Sequence, residues 1–369
     1  MMKSLSTGIK YVKNVTLYNF GKGAFLDYQN TISHLGIDKG GYKIFFIDCF
    51  FKDIDEVVST FKSSHGDMLF FVPTKDEPTT DYIDQLIKTI RDQKGTQNPD
   101  FIVGMGGGIT LDASKAVSNL LTNEGSSQDF QGWDLVKQKG ITKIGIPTVS
   151  GTGSEATRTC VMTNKKNGLK LGMNSDYTVF DYLILDPELT KTVPREQYFY
   201  TGMDAYIHSM ESLCGTYRNA IGDSFAKETI RLCREAFLSD DMKSDINREK
   251  LMVASYMGGC AIATSYVGLV HPFSAGLSVT LGTHHCLANC ISMRSMEEFY
   301  PKHFDEFFSM AEKQNVEIRS GLCNNLTNEQ YEKLFQSTII HEKPLINALG
   351  ENFKETLSQT KVKETFMRM

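Results

Sequence analysis

The sequence lacks long apolar segments and any excess of positive charge. No hydrophobic run approaches the ~20 residues that a membrane-spanning helix needs, and the first residues lack the apolar core of a signal peptide. A net charge of -5 provides no basic field for nucleic acid or for an anionic membrane surface. We therefore expect a cytoplasmic protein that has neither nucleic acid nor a membrane as its partner.

Paired cysteine motifs are absent as well. The eight cysteines are scattered along the chain and none forms a CxxC pair, so we expect them to be reduced and mostly buried. A content of 41% hydrophobic and 22% charged residues is that of a globular protein. Because 369 residues are too many for one ordinary core, the length predicts two domains.

The first half of the chain alternates short apolar runs with helical patterns. An alternating segment opens the chain at residues 9–18, and a helix is predicted at 24–35. Continuous apolar runs of the kind buried on both faces of a parallel sheet follow, and they are separated by helical segments at 54–61 and 80–93. The runs are residues 42–48, 68–73, 101–104, 143–147 and 183–185. This order predicts an α/β domain with a doubly wound, mostly parallel sheet.

Beyond residue 195 long helical patterns dominate the sequence. They cover residues 200–214, 220–238, 247–264 and 281–296, and further helices follow to the end. We place the boundary between domains near Arg195 and predict an α/β domain at 1–195 and an all-helical domain at 196–369.

A glycine cluster follows the third buried run. Gly106, Gly107 and Gly108 stand between a predicted strand and a predicted helix, where a backbone without side chains can approach a pyrophosphate at the helix N-terminus. A tight turn is the simpler explanation, but this context favours the nucleotide site.

Asp48 ends the first strongly buried run, where an acid can bind the adenine ribose and disfavour a 2′-phosphate. A role as a turn or cap residue is equally consistent.

Small hydroxyl residues line the loop after the strand at 143–147. Thr148, Ser150, Thr152 and Ser154 offer O–H and N–H donors that can wrap the nicotinamide end of a cofactor, although an ordinary turn explains them too. Two further candidate cofactor-binding residues are Asp112 and Lys170.

Asp204 and His208 are four residues apart in a helical pattern, so their side chains project from the same face of the helix and are separated by one turn. A carboxylate and an imidazole presented in this way can share a divalent metal, and a closed site needs two more ligands. His271 and His285 are the downstream candidates. A solvated helix pair is the alternative explanation for Asp204 and His208 alone.

Three stretches together resemble the signatures of the iron-containing (group III) alcohol dehydrogenase family. They are GGGITLDASK at 106–115, PTVSGTGSE at 147–155 and GMDAYIHSME at 202–211, and a histidine pair fourteen residues apart, His271 and His285, resembles the fourth. The resemblance implies an N-terminal dinucleotide-binding domain, a helical C-terminal domain and a cleft in which cofactor and metal meet. It also implies Asp204, His208, His271 and His285 as the metal ligands.

The sequence departs from the family pattern near the expected nicotinamide. Many members carry a histidine four residues after the third ligand, where this chain has Ala275, and their usual Pro-His-Gly is His284-His285-Cys286 here. His284 is therefore a candidate catalytic proton relay, although a histidine that supports a metal ligand or lies on the helix surface is as consistent. These departures resemble a sugar-acid branch that oxidises C8 of 3-deoxy-octulosonate (Kdo) before amination in lipopolysaccharide biosynthesis.

The predicted function is that of a metal-dependent NAD-linked dehydrogenase that interconverts a primary alcohol and an aldehyde. Fe²⁺ or Zn²⁺, with Mn²⁺ as a third choice, suits ligands of oxygen and nitrogen, and NAD is preferred over NADP. The substrate is a small alcohol or a sugar acid, whose carboxylate Arg158 or Arg294 would bind, and a homodimer is expected. The alternatives are a generic small-alcohol or diol dehydrogenase, a dehydroquinate-synthase-like lyase that uses NAD transiently, and a non-catalytic NAD-binding protein.

Overall fold

The structure is a computed structural model that describes residues 11–61 and 66–369. The chain divides into two compact units, each described below by itself. Among the described residues, the first unit comprises Lys13–Val149 and Ser154–Thr192, and the second comprises Val193–Met369 together with Ser150–Gly153 and residues 11–12. The single boundary predicted near residue 195 would place Ser150–Gly153 in the first unit, whereas the structure assigns this segment to the second.

The first unit contains nine strands and four α-helices within its described residues. The strands are β1 (Leu17–Phe20), β2 (Ile44–Asp48), β3 (Met68–Val72), β4 (Ile102–Gly106), β5 (Gly132–Trp133), β6 (Lys143–Pro147), β7 (Thr159–Asn164), β8 (Leu169–Asn174) and β9 (Tyr182–Leu185). The helices are α1 (Tyr28–Leu35), α2 (Asp55–Thr60), α3 (Thr80–Lys94) and α4 (Gly108–Leu120).

Six of these strands form one parallel sheet in the order β1-β9-β6-β4-β2-β3. Side chains of β2 alternate between two cores: Ile44 and Phe46 pack into one cluster, and Phe45 and Ile47 into the other. Because both faces of the strand are buried, its sequence is continuously apolar rather than alternating. The predicted doubly wound parallel sheet is confirmed.

A second, three-stranded sheet has the order β5-β8-β7 and contains an antiparallel pair, β7 with β8. The strand patterns of the sequence did not predict it. The predicted opening strand is also wrong in its bounds: β1 begins only at Leu17, and residues 9 and 10 of that prediction lie outside the described residues.

The second unit is built from helices alone between residues 193 and 369. They are α5 (Arg195–Cys214), α6 (Ala220–Phe237), α7 (Asp245–Thr264), α8 (Val270–Leu281), α9 (His285–Met293), α10 (Pro301–Lys313), α11 (Asn328–Ile339), α12 (Glu342–Leu349), α13 (Phe353–Thr356) and α14 (Gln359–Met367). Helix α5 is buried along most of its length and packs against α6, α7 and α9. The predicted helical half of the chain is confirmed.

The helix predicted at 281–296 forms as α9 but is wrong in its bounds, and α8 was not predicted. The chain forms α8 up to Leu281, turns at Gly282 with a left-handed φ of 68°, and starts α9 at His285. Glycine adopts this C-terminal conformation without a Cβ clash, so it ends α8 and allows a new helix direction. Among the described residues, no helix is long and apolar enough to span a bilayer.

Candidate metal centre and nucleotide-binding edge

Helix α5 positions the first two candidate ligands. Asp204 and His208 lie one turn apart, and the Nε2 atom of His208 is 3.5 Å from Oδ1 of Asp204. Gly202, two residues before Asp204, allows α6 to pack closely, because a Cβ at this position would lie 2.6 Å from the ring of Phe237. The local helix geometry therefore creates the pair that the sequence predicts.

Two other helices bring the remaining histidines to the same carboxylate. His271 lies in the first turn of α8, and its Nε2 atom is 3.4 Å from Oδ1 of Asp204. His285 begins α9, and its Nε2 atom is 3.8 Å from Oδ2 of Asp204. The rings of His208 and His271 are stacked with their centroids 4.7 Å apart. The structure thus gathers the three predicted histidine ligands around the carboxylate of Asp204, the fourth.

The spacing of these atoms suits a divalent cation. A tetrahedral set of ligands about 2.1 Å from a metal has neighbouring donor atoms about 3.4 Å apart, close to the separations of His208 and His271 from Asp204. One potential ligand atom from each of these three residues lies within 4.8 Å of the others. Asp204 is fully buried, and an ionised carboxylate without solvent requires positive charge nearby. The residues present therefore fit a metal ion.

The electrostatics of the site favour the metal-binding forms of Asp204 and His208 but not that of His271. Burial acts to raise the pKa of Asp204, but the imidazoles of His208, His271 and His285 outweigh it and hold this pKa well below its usual range. Burial lowers the pKa of His208 to about 4, so its imidazole is neutral at neutral pH. For His271 burial also lowers the pKa, but the carboxylates of Glu211 and Asp204 prevail and raise it to about 9.

The sequence interpretation missed two residues of the site. Glu211 is fully buried, and its carboxylate lies 2.5 Å from Nδ1 of His271 while accepting the backbone N–H of Val270. Asn289 is also fully buried and donates from Nδ2 to Oδ1 of Asp204 at 2.7 Å. Helical spacing could have placed both residues near a predicted ligand, because Glu211 follows His208 by three residues and Asn289 follows His285 by four, but it does not indicate their partners.

Besides Glu211 and Asn289, Cys286 also lies at the site, and the sequence analysis gave it no role there. Its thiol is 3.7 Å from Oδ2 of Asp204 in the buried site. His284, the predicted proton relay, is the N-terminal cap residue of α9 and is exposed beside His285. Its catalytic role stays a prediction.

The carboxyl ends of three neighbouring strands bring the predicted nucleotide-binding residues together. Asp48 ends β2, Gly106 ends β4, and Thr148 follows β6 and donates its backbone N–H to the carbonyl of Gly106. A Cβ at Gly106 would lie 2.7 Å from Thr110 and 3.0 Å from Asp48, so only glycine allows these segments to approach so closely. Gly107 and Gly108 then begin α4, whose N-terminus faces this edge.

Asp48 has the cap role, one of the two that the sequence left open, and its role toward a ribose stays a prediction. Its Oδ1 atom accepts the backbone N–H of Phe50 at 3.0 Å, which caps a short 3-10 helix, and the hydroxyl of Thr74 at 3.3 Å. Both contacts use the same oxygen. Thr74, which follows β3, is a residue at this edge that the sequence interpretation missed.

Other predicted cofactor-binding side chains already have protein partners. Asp112 accepts from the Ser154 hydroxyl at 2.6 Å and from the backbone of Val161 at 2.9 Å. Lys170 forms an ion pair with Glu77. Ser150 and Thr152 belong to the segment assigned to the helical unit. The roles of these residues toward a cofactor stay predictions.

The two arginines proposed for a substrate carboxylate are engaged as well. Arg158 forms ion pairs with Asp134 and Asp176. Arg294 donates to the backbone carbonyl of Ile318, and its guanidinium lies over the ring of Phe308. Neither arrangement indicates a site for a substrate carboxylate.

Comparison with known families gives the class of the protein. The model for iron-containing alcohol dehydrogenase matches residues 16–187, and the model for the C-terminal part of the same family matches residues 198–357. The chain belongs to the iron-containing alcohol dehydrogenase family, which consists of oxidoreductases, and the resemblance found in the sequence is confirmed.

Individual relatives are similar over part or most of the chain. A sulfoacetaldehyde reductase of Bilophila wadsworthia is 37% identical over 216 residues, which are 58% of this chain and 54% of the reductase. An NAD-dependent methanol dehydrogenase of Bacillus methanolicus is 26% identical over 74% of this chain and 71% of its own length. The match thus spans about half the length of the first of these relatives.

Solved structures share the fold over nearly the whole chain. The structure of a sulfoacetaldehyde reductase from Bifidobacterium kashiwanohense in complex with NAD⁺ superimposes with a TM-score of 0.81 at 23% identity and covers 97% of this chain and 98% of that one. An alcohol dehydrogenase from Oenococcus oeni superimposes with a TM-score of 0.83 at 18% identity, with 96% and 98% covered.

Proposed function

We propose that this protein is a metal-dependent, NAD-linked dehydrogenase that interconverts an alcohol and an aldehyde. The observation that carries the proposal is the fully buried carboxylate of Asp204 with three imidazole Nε2 atoms 3.4 to 3.8 Å away. Membership of the iron-containing alcohol dehydrogenase family supports the same reaction class.

Asp204, His208, His271 and His285 would hold Fe²⁺ or Zn²⁺, with Mn²⁺ as a further possibility. Bound there, a divalent metal supplies Lewis acidity to the oxygen of the alcohol or aldehyde. Glu211 holds Nδ1 of His271, which directs the Nε2 atom of that ring toward Asp204. Asn289 holds one oxygen of Asp204 in place. Such supporting hydrogen bonds fix the orientation of metal ligands.

The nucleotide-binding edge of the first unit supports NAD as the cofactor. Gly106, Gly107 and Gly108 leave the N-terminus of α4 accessible to a pyrophosphate. Oδ1 of Asp48 is engaged by Phe50 and Thr74, which leaves Oδ2 to accept from a ribose hydroxyl. A carboxylate there repels a 2′-phosphate, so the edge favours NAD over NADP.

For the substrate we propose a small aldehyde with an acidic head group as the first candidate. The relative that is 37% identical is named for sulfoacetaldehyde, an aldehyde of this kind. The sugar acid Kdo is the second candidate, supported by Ala275, whose small side chain stands four residues after His271 in α8. The two candidates differ in the size of the carbon skeleton that the site must accommodate.

A substrate screen tests the proposal. The purified protein, loaded in parallel with Fe²⁺, Zn²⁺ or Mn²⁺, is given sulfoacetaldehyde, acetaldehyde and butanal with NADH, and ethanol, 1,2-propanediol and Kdo with NAD⁺. We expect a net change in NADH absorbance with the wild type and its loss in Asp204→Asn, a variant of nearly the same shape. The proposal is wrong if metal-loaded protein changes the NADH concentration with none of these compounds.

The same screen separates the lyase alternative from the dehydrogenase. A dehydroquinate-synthase-like enzyme uses NAD transiently, so it would convert its substrate without net NADH formation. Product analysis by mass spectrometry alongside the absorbance measurement distinguishes the two reactions.

We also propose that the chain forms a homodimer. Strand β1 lies at the end of the six-stranded sheet and, among the described residues, pairs with β9 alone, while Tyr18 on it is 53% exposed. An edge strand of this kind can pair with a second copy of the same strand. Light scattering would give a mass twice the 41.4 kDa of one chain; a mass of one chain at micromolar concentration contradicts the dimer.

A further inference from the structure

The helical unit contains a cavity outside the candidate metal centre whose polar lining is entirely basic. The cavity has a volume of about 270 Å³, and none of its lining residues is a candidate metal ligand. We call it the basic pocket; it is lined by Leu213, Lys227, Ile230, Arg234, Lys302 and His303.

The nearby carboxylates neutralise only part of this positive charge. Glu306 forms a two-point ion pair with Arg234 through Nε and Nη2, which leaves the Nη1 group as a donor. Asp223 lies 3.8 Å from the ammonium of Lys227 but is bound more closely by Arg218. No ion pair involves Lys302 within residues 11–61 and 66–369. An excess of positive charge therefore remains at the basic pocket.

His303 adds to this excess. Its Nδ1 atom lies 3.0 Å from the hydroxyl of Tyr206 and 3.8 Å from the carboxylate of Glu306. Burial lowers the pKa of His303, but contacts with Cys214 and Glu306 outweigh burial and raise it to about 9. The imidazole is therefore protonated at neutral pH.

Two of the residues that line the basic pocket stand at the start of helix α10. Lys302 and His303 lie in its first turn, and the cap residue Tyr300 makes no side-chain hydrogen bond to the helix. The first backbone N–H groups of a helix and its positive dipole end favour an anion. Leu213 and Ile230 form an apolar side of the pocket, against which a short carbon chain can pack.

We propose that the basic pocket binds a phosphate dianion, as inorganic phosphate or as a small phosphomonoester. Arg234, Lys302 and His303 provide charged donors at the pocket, and a phosphate has the oxygens and the charge to accept from all of them. The residues of this site take no part in the proposed dehydrogenase reaction.

Phosphate binding to the full chain tests this proposal. Isothermal titration is performed with inorganic phosphate and, separately, with glycerol 3-phosphate, at constant ionic strength and with metal and NAD⁺ already saturating, so that the nucleotide-binding edge is filled. We expect one saturable site per chain. Tighter binding of glycerol 3-phosphate would identify a phosphomonoester as the ligand, and equal binding would identify inorganic phosphate.

Variants assign that binding to the basic pocket. Lys302→Gln should weaken phosphate binding about tenfold, since a hydrogen bond to a charged group is lost, and Lys302→Arg should retain it. Lys333→Gln, which removes an exposed lysine from α11, is the matched control and should bind like the wild type. The proposal is overturned if the wild type shows no saturable site, or if Lys302→Gln and Lys333→Gln bind phosphate equally.

Discussion

Asp204 is the residue on which the candidate metal centre depends. An ionised carboxylate without solvent exposure costs several kcal/mol unless charges and hydrogen bonds compensate it. Here the compensation comes from three imidazoles and from the amide of Asn289. A divalent cation would compensate the negative charge of Asp204 further. The residues that orient the ligands should therefore control how tightly the cation binds.

A substitution of Glu211 tests whether a residue that orients a ligand, without being a ligand itself, controls the affinity for the metal. Glu211→Gln keeps the size of the side chain but removes the charge that faces Nδ1 of His271. We expect the affinity for Zn²⁺ to fall about 10- to 100-fold, measured by competition with a chromophoric chelator and therefore without reference to turnover.

The control for this change is Glu298→Gln, which alters an exposed glutamate paired with Lys361. It should bind Zn²⁺ like the wild type. If Glu211→Gln also binds Zn²⁺ like the wild type, Glu211 does not hold His271 for metal binding.

Among the elements, the segment Ser150–Gly153 is the one most tightly constrained by its surroundings. A Cβ at Gly151 would lie 1.6 Å from the backbone carbonyl oxygen of Thr201 in α5, and the φ of Gly151 is 138°. Both the backbone conformation and the contact exclude other residues. The segment is therefore held against the helix that carries Asp204 and His208.

Gly151→Ala and Gly168→Ala separate these two constraints. Gly168, in the turn between β7 and β8, has a φ of 69° but no atom within 4 Å of the added Cβ. We expect Gly168→Ala to lower the free energy of unfolding by about 1 kcal/mol, and Gly151→Ala by at least about 2 kcal/mol more because the contact is added. Denaturant unfolding of both variants measures the difference; equal losses would mean that the segment can move away from α5.

On the scale of the whole molecule, a buried lysine makes stability depend on pH. Lys143 in β6 has a side chain with 1% exposure, 3.8 Å from Asp181, and its ammonium makes no hydrogen bond to any described residue. Burial lowers its pKa from 10.5 to about 8, and the charge of Asp181 opposes this only in part. The unfolded chain therefore binds more protons than the folded chain between these two pH values.

Stability should consequently rise from pH 8 toward pH 10.5, by up to about 3 kcal/mol from this group. Below pH 8 both states are protonated, and the contribution no longer changes with pH. Denaturant unfolding at pH 8 and pH 10 measures the rise, and Lys143→Met should reduce it. The control, Lys165→Met, changes an exposed lysine of the turn between β7 and β8 and should leave the rise in stability unchanged. An identical rise in the wild type and in Lys143→Met would contradict the prediction.

Local patterns were sufficient to predict much of this protein. Continuous apolar runs identified β2, β3, β4 and β6 because strands buried on both faces need apolar side chains at every position. The spacing of Asp204 and His208 predicted their pairing because both lie in one helix, where the geometry is set by neighbouring residues. The glycines at 106–108 likewise predicted a strand-to-helix turn.

Tertiary packing alone decided the remaining features. Glu211 meets His271 across 60 residues of sequence, and Asn289 meets Asp204 across 85; no local pattern encodes such contacts. The turn between α8 and α9 at Gly282 makes His285 the first residue of a new helix, whereas the helix predicted at 281–296 had included this turn. Periodicity reports which residues are buried, but the direction of each helix and the partners of its side chains follow from the packing of the whole unit.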